Sequence, residues 1–324
     1  MKYTVLDIGT SKIGALEIEA KFKGFEILRF QEFRFPLDAK LPTAEVFVRQ
    51  LKSVLENFSV HHSKLIVNML PSDVATRFVE LPFRDRKKIE QTLPFELADI
   101  VSFDVENTVT DHVVTESIGK KSNVLVCMTP RNKLISFLKI FEAHHVEPDI
   151  VQAPQVSLTS LLPYIPLPGD CFAIVDIGHS KTSVCIIDNG ILKAVRVIAQ
   201  GGFHLTKILS QIYEASLEES ESIKLEKGYL ICEKQERFNE DQTIFSDTLK
   251  KGLAPLIRDL NQTFVSMSSH NKKPIRNIYL TGGGSQLNNL PTYLTMELQI
   301  KTQLLEISSQ KLPRPQSGLA TTEE

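Results

Sequence analysis

The chain has 324 residues, 42% of them hydrophobic and 23% charged, with 37 basic side chains against 39 acidic ones and a formal net charge of -2. Such a length suits two or three packed units of about 100–200 residues each, and a near-neutral balance supplies no broad basic field to hold nucleic acid by counterion release. The cysteines Cys127, Cys171, Cys185 and Cys232 form no CxxC pair, which argues against a zinc knuckle or redox motif, and three of them lie in apolar strand-like runs as buried thiols of a reducing compartment.

In chain order, Tyr3 to Leu6 reads as a strand that opens at once, with no cationic leader, so secretion is not indicated. The polar tip Asp7-Ile8-Gly9-Thr10-Ser11 returns into a second strand from Ile13 to Ile18, and a third covers Phe25 to Phe33. Val46, Phe47, Leu51, Val54 and Leu55 recur at helical spacing within Ala44 to Asn57. Strands near Leu65 to Val67 and Thr76 to Leu81 follow, then a helix from Arg86 to Asp99 in which Pro94 is expected to kink or break the rod. Leu93-Pro94-Phe95 is either an exposed apolar ledge or a kinked core segment, and Arg84 to Lys88 either a basic contact or a solvated helix start. Two strands, Val109 to Thr115 and Val124 to Met128, lead to an amphipathic helix from Asn132 to His144. At Phe172 the opening pattern returns: an apolar strand, Asp176-Ile177-Gly178-His179-Ser180, and a second strand from Thr182 to Ile187, with the tight-turn pair Asn189-Gly190 beyond it. Helices are expected at Phe203 to Glu214, Leu217 to Lys227, Ile244 to Ser268 and Leu290 to Leu298, a buried strand at Ile275 to Leu280, and a mobile tail after Lys311. No apolar run approaches the roughly 20 residues of a membrane helix, so membrane association is expected only through a partner or through sequence beyond Glu324.

Each repeated turn places an aspartate at the end of a buried strand, then a glycine, then small hydroxyl residues. Glycine hairpins aim backbone N–H groups at phosphate oxygens without obstruction from a Cβ. Asp7 and Asp176, one from each half, could face a shared Mg²⁺ through its waters, since that ion dehydrates reluctantly. A single Asp-Ile-Gly would read as an ordinary β-turn, but two copies in matching surroundings point to a polyphosphate site. Leu280-Thr281-Gly282-Gly283-Gly284-Ser285 opens a strand into a glycine run that can lie close against a ring or sugar, and Gly201-Gly202 precedes a helix. No GxxxxGK[ST] is present, so the P-loop route is closed. The pairs His61-His62 and His144-His145 read as solvated surface, and no Ser/His/Asp or Cys/His constellation supports ester or peptide hydrolysis.

These motifs resemble those of the actin-like ATPase superfamily of sugar kinases and heat-shock chaperones. DIGTSK (Asp7, Gly9, Thr10, Ser11, Lys12) is similar to its first phosphate motif, DIGHSKTSV (Asp176, Gly178, His179, Ser180, Lys181, Thr182) to the second, and LTGGGSQL (Gly282, Gly283, Gly284, Ser285) to the adenosine motif. Within the superfamily the likeness is to PilM of type IV pili and the cytoplasmic part of GspL of type II secretion, and more distantly to FtsA. It runs over nearly the whole chain and includes RFVELPF, IEQTLPFELADIVSFDVEN, QGGFHLTKIL with Gly201 and Gly202, and SLEESESIKLEKG with Glu221 and Lys224, which it would put beside ribose and adenine.

The resemblance implies an α/β fold of two RNase H-like lobes, the first formed by 1–59 and 146–168, the second by 169–311, with an inserted α+β subdomain at 60–145 and a flexible tail at 312–324. It implies ATP and Mg²⁺ in the cleft, with slow or absent hydrolysis: where relatives carry an acidic residue in the helix linking the lobes, the match falls on Gln152, which can orient a water but not take its proton. QSGLATTEE is similar to the start of a last helix, so the natural protein is expected to continue. The implied role is a cytoplasmic scaffold at the inner face of the bacterial inner membrane, in a type IV pilus or type II secretion platform. It would contact a PilN-like tail or the secretion ATPase through the inserted block, with self-association possible and nucleic acid not expected. The alternatives are an active ATPase or small-molecule kinase of the same fold, or an FtsA-like filament protein of cell division.

Overall fold

The computed structural model describes residues 1–22, 24–37, 43–101, 104–165, 171–232, 238–271 and 273–306. The expected tail at 312–324 and the final helix start lie outside them.

The chain opens with β1 (Lys2–Ile8), β2 (Lys12–Lys21), β3 (Gly24–Arg34), α1 (Thr43–Asn57) and, after a 3-10 turn, β4 (Lys64–Asn68). Next come β5 (Ala75–Leu81), α2 (Arg86–Ile100), β6 (Thr108–Ile118), β7 (Lys121–Pro130), α3 (Arg131–Glu142), β8 (Ile150–Gln152) and the short α4 (Pro154–Ser157). The remainder is β9 (Phe172–Ile177), β10 (Thr182–Asp188), β11 (Ile191–Ile198), α5 (Gly202–Tyr213), α6 (Leu217–Lys227), α7 (Glu240–Asn271), β12 (Asn277–Thr281), α8 (Leu290–Leu298) and β13 (Lys301–Leu304).

Two five-stranded sheets share one topology. The first runs β3-β2-β1-β4-β8 and the second β11-β10-β9-β12-β13. In each, the first three strands pair antiparallel and the last two add in parallel. Alternation explains β1, where Thr4, Leu6 and Ile8 face inward. In β9 the residues from Phe172 to Val175 are all buried, as a strand covered on both faces must be. This doubled α/β arrangement is the one the resemblance implies.

The third sheet, β5-β7-β6, lies between β4 and β8 in the chain. The strand Lys64–Asn68 pairs with β1, and Phe137, Ile140 and Phe141 of α3 pack into the core of the first sheet. The inserted sheet is therefore shorter than the block beginning at residue 60. It leans on the second half: Leu125 of β7 is buried among Phe172, Ile174, Cys185 and Ile187, and Lys193 of β11 pairs with Glu116 of β6 at 2.6 Å.

The expected break at Pro94 does not occur, because α2 continues through it. Ile89, Leu93 and Leu97 bury one face of the helix, at about 1.5–3 kcal/mol per large side chain. That offsets the hydrogen bond a proline cannot make. The chain-order reading also omitted β8 and β13. Both are short parallel edge additions whose sequences, Ile-Val-Gln and Lys-Thr-Gln-Leu, carry no strand periodicity. Among the described residues no helix is long and apolar enough to cross a membrane.

Candidate functional site

The two repeated turns have the same geometry. Gly9 N–H donates to the Lys12 carbonyl at 2.9 Å, and Gly178 N–H donates to the Lys181 carbonyl at 2.9 Å. A Cβ on either glycine would sit about 3 Å from that carbonyl, at 3.1 Å for Gly9 and 3.0 Å for Gly178. The turns meet across the cleft: the Thr10 hydroxyl donates to Ser180 Oγ at 3.0 Å, joining residues 170 positions apart in the chain.

Asp176 lies close enough to Asp7 to feel its charge. Burial, and then the charge of Asp7, pushes Asp176 up to about 6. Burial also raises Asp7, with Lys12 opposing and Glu32 adding to the shift. By surface area Asp7 is exposed, so it is the density of protein around it, not enclosure from water, that disfavours its charge. Two carboxylates held above their usual range mark negative charge without a full counterion. That is the condition a divalent cation relieves, so the residues fit Mg²⁺. Among the described residues no group of three or more His, Cys, Asp or Glu could hold a metal, so an ion here would keep water and phosphate oxygens as most of its ligands.

The glycine run supplies a cradle. Gly282 has φ +83°, and a Cβ there would lie 2.3 Å from Asp176 Oδ1 and 2.6 Å from the Ile177 carbonyl. Gly284 is pressed against Ile177, whereas a Cβ on Gly283 would meet nothing within 4 Å. Only the middle glycine therefore faces open space. The Ser285 hydroxyl turns inward to the Gly282 carbonyl at 2.6 Å.

Gly201 and Gly202 lie against the second turn from the other side. Gly202 N–H donates to the Gly178 carbonyl at 2.9 Å and Phe203 N–H to the His179 carbonyl at 2.8 Å. A Cβ on Gly201 would fall 2.6 Å from the His179 carbonyl oxygen. These residues buttress the turn, and Gly202 N–H is thereby already engaged. Lys224 Nζ donates to the Gly202 carbonyl at 3.1 Å, to Thr206 Oγ1 at 2.9 Å and to Glu221 Oε2 at 2.6 Å, while Thr206 also donates to Glu221. Burial lowers the Lys224 ammonium, and the Glu221 bond opposes that shift.

The His179 ring lies 4.8 Å from that of Phe203, and burial lowers its pKa below the usual imidazole range despite the opposing charge of Glu221. Other expected site residues point elsewhere. Lys12 pairs with Glu32, Thr182 Oγ1 donates to the Gln200 carbonyl at 2.8 Å, and the Ser11 carbonyl accepts from Phe35 N–H at 2.7 Å. Thr10 with Ser180, and Asp7 with Asp176, are what the turns bring together.

Gln152, expected in a linking helix, ends strand β8 instead; its carbonyl accepts from Met69 N–H at 3.1 Å. Helix α4 starts two residues later and contains Gln155, which is fully buried and donates through Nε2 to the Pro71 and Val74 carbonyls. Asn68 was missed from sequence. Buried at the end of β4, it accepts from Ile8 N–H at 2.6 Å and donates to the Ile8 carbonyl at 3.2 Å, clamping the first turn. The only signal available was a polar residue closing an apolar strand.

Comparison with known proteins places this geometry. Residues 5–316 match the family described as Type IV pilus assembly protein PilM. A 57-residue segment is 39% identical to the cell division protein FtsA of Bacillus subtilis (strain 168), spanning 18% of this chain and 13% of that relative's length. Among solved structures, the PilM-PilN type IV pilus biogenesis complex superposes with a TM-score of 0.78 at 18% identity, covering 93% of this chain and 87% of that one. MreB5 of Spiroplasma citri bound to ADP superposes with a TM-score of 0.54 at 14% identity, covering 94% and 92%. At these identities the likeness is one of fold, the actin-like ATPase fold.

Proposed function

The chain belongs to the family of type IV pilus assembly proteins PilM, and from that premise we propose that it is a nucleotide-responsive scaffold of the pilus assembly platform, binding Mg-ATP between its two halves. The observation that carries this reading is the convergence of the two Asp-x-Gly turns, joined by Thr10 and Ser180, with Asp176 raised by burial and then by the charge of Asp7. Mg²⁺ would neutralise phosphate charge there and link it to the two carboxylates. Thr10, Ser180 and the turn backbones would orient the phosphates, the Gly282–Gly284 cradle would admit the nucleoside, and the Glu221–Lys224 pair would border it.

The exposed Gln152 offers no general base, and the buried Gln155 spends its Nε2 on the Pro71 and Val74 carbonyls. The expected behaviour is therefore binding with little turnover. Nucleotide would act by favouring one relative setting of the halves, since a ligand shifts a conformational equilibrium only through its differential affinity for the two states. A PilN-like tail is the expected partner, in keeping with the PilM-PilN assembly named for the similar structure. On the inserted sheet's helix, Leu93 is buried but Phe95 is 76% exposed and Ile100 is exposed as well. The ledge left open by sequence is thus Phe95, a candidate anchor for an apolar tail. This reading places the protein at the cytoplasmic face of the inner membrane.

Calorimetric titration with Mg-ATP, run beside a phosphate-release assay, tests the reading. Saturable binding that weakens in Asp7→Asn and Asp176→Asn, without steady turnover, is expected. Sustained hydrolysis well above background would favour the enzymatic alternative, and absence of binding would overturn the site.

A further inference from the structure

A second recess lies outside the cleft. The C-terminal end of α5, the first turns of α6 and the start of α7 enclose an open groove of about 700 Å³, a volume within the usual range of binding pockets. Its walls include Leu209, Tyr213, Ile223 and Phe245, with the Tyr213 and Phe245 rings 6.0 Å apart. Apolar surface continues beyond the walls, because the neighbouring Ile212 and Ile244 are exposed.

The rim is acidic. Glu214, Glu218 and Glu219 line it, and none of the lining residues is basic. Glu219 is engaged in capping α6, accepting from Ser216 N–H at 2.9 Å and Ser216 Oγ at 2.8 Å. Glu214 ends α5 at φ +51°, the left-handed position that glycine normally takes, so an acid stands at the rim where chain geometry favours another residue. One further atom in the groove lacks a partner. Ser220 is 1% exposed, and its Oγ makes no hydrogen bond within the protein. Buried hydroxyls are ordinarily satisfied, so this one carries an unmet hydrogen-bonding demand in the wall of the groove.

We propose that this groove docks a basic amphipathic helix of a partner protein. The occupant would seat an aliphatic or aromatic side chain between Tyr213 and Phe245 and set lysine or arginine against Glu214 and Glu218. A helix suits the site because the three surrounding elements are helices whose ridges and grooves accept another helix. Acid on the rim selects the sign of the partner's charge and makes association depend on salt. The proposal is independent of the nucleotide reading, since α6 turns Glu221 and Lys224 toward Thr206 and Gly202, not toward the groove.

The test uses the full chain and two fluorescein-labelled synthetic helices with the same leucine pattern, one with lysine and one with glutamate on the polar face. Fluorescence anisotropy should show saturable binding of the Leu/Lys helix alone, weakened by added salt. The double variant Glu214→Lys/Glu218→Lys, or Tyr213→Ser, should weaken it at least about tenfold, with circular dichroism melts showing that the variants are folded. Ser220→Ala should bind the helix less tightly while melting no lower than the parent, a combination that a purely structural serine would not give. Equal binding of both helices, or groove variants that bind like the parent, would overturn the proposal. Self-association lost in Glu218→Lys and restored by Lys88→Glu would overturn it too, by assigning the groove to the basic start of α2 in a second copy.

Discussion

The two turns are the same hairpin set in different surroundings. The first is held by one side chain, Asn68, which bonds both backbone groups of Ile8, and its aspartate has Lys12 nearby to moderate its charge. The second is enclosed by backbone on two sides, by Gly201 to Phe203 through hydrogen bonds and by Gly282 and Gly284 through close packing. Its aspartate meets burial and then the charge of Asp7, and rises to about 6. The second turn is therefore fixed by close backbone packing, and the first by a single side chain. In a two-sided site, the ring and sugar would be gripped by one half and the phosphates shared by both.

The strongest way to break this contrast is to add one methyl group to each side. Gly282→Ala must displace Asp176 or the Ile177 carbonyl in a left-handed backbone, and should cost about 3 kcal/mol of stability and abolish nucleotide binding. Gly9→Ala meets only the Lys12 carbonyl at 3.1 Å and should cost about 1 kcal/mol or less. Urea midpoints measure both, and equal losses would erase the asymmetry. Next in size, Asn68→Ala leaves the Ile8 N–H without its partner and should cost about 2 kcal/mol. Its amide-exchange signature should be confined to β1 and β4, sparing β9.

Asp176→Asn should weaken Mg-ATP about tenfold, roughly 1.4 kcal/mol, while leaving the ligand-free protein at pH 7 no less stable than the parent. The sign follows from the raised pKa. Below the ordinary value of 3.8 the carboxyl is protonated in both folded and unfolded chains, and as pH climbs from 3.8 to about 6 ionisation is harder in the folded one. Stability of the ligand-free parent therefore falls over that window, the asparagine variant lacks this fall, and Mg²⁺ affinity of the parent rises over the same interval. Denaturant titrations and calorimetry across that pH range would show it. The smallest effect belongs to Thr10→Val, which removes the hydroxyl bond between the halves and should cost about 0.5–1 kcal/mol of stability, with X-ray scattering reporting a broader spread of cleft openings.

Much of this fold was legible because the same signal occurred twice. Asp-Ile-Gly between apolar strands is weak alone, but its recurrence at Asp176 announced both the doubled architecture and the two turns that Thr10 and Ser180 join. Contributions made by packing left no such mark. Nothing in Leu-Pro-Phe says that Leu93 and Leu97 will keep α2 helical through a proline, and nothing in Lys-Thr-Gln-Leu announces a fifth strand. Asn68 and the inward rotation of the Ser285 and Thr182 hydroxyls likewise depend on neighbours distant in sequence. A motif can name a serine without revealing that its hydroxyl closes its own turn.

The bonds from Gly202 and Phe203 to the carbonyls of Gly178 and His179 make helix α5 and the second hairpin a single lever. Should a ligand displace the hairpin, those bonds would carry the displacement into α5, whose far end bears Tyr213, three turns away at the mouth of the acidic groove. Any such displacement would reach the outer surface along backbone bonds and one helix, with no moving loop between.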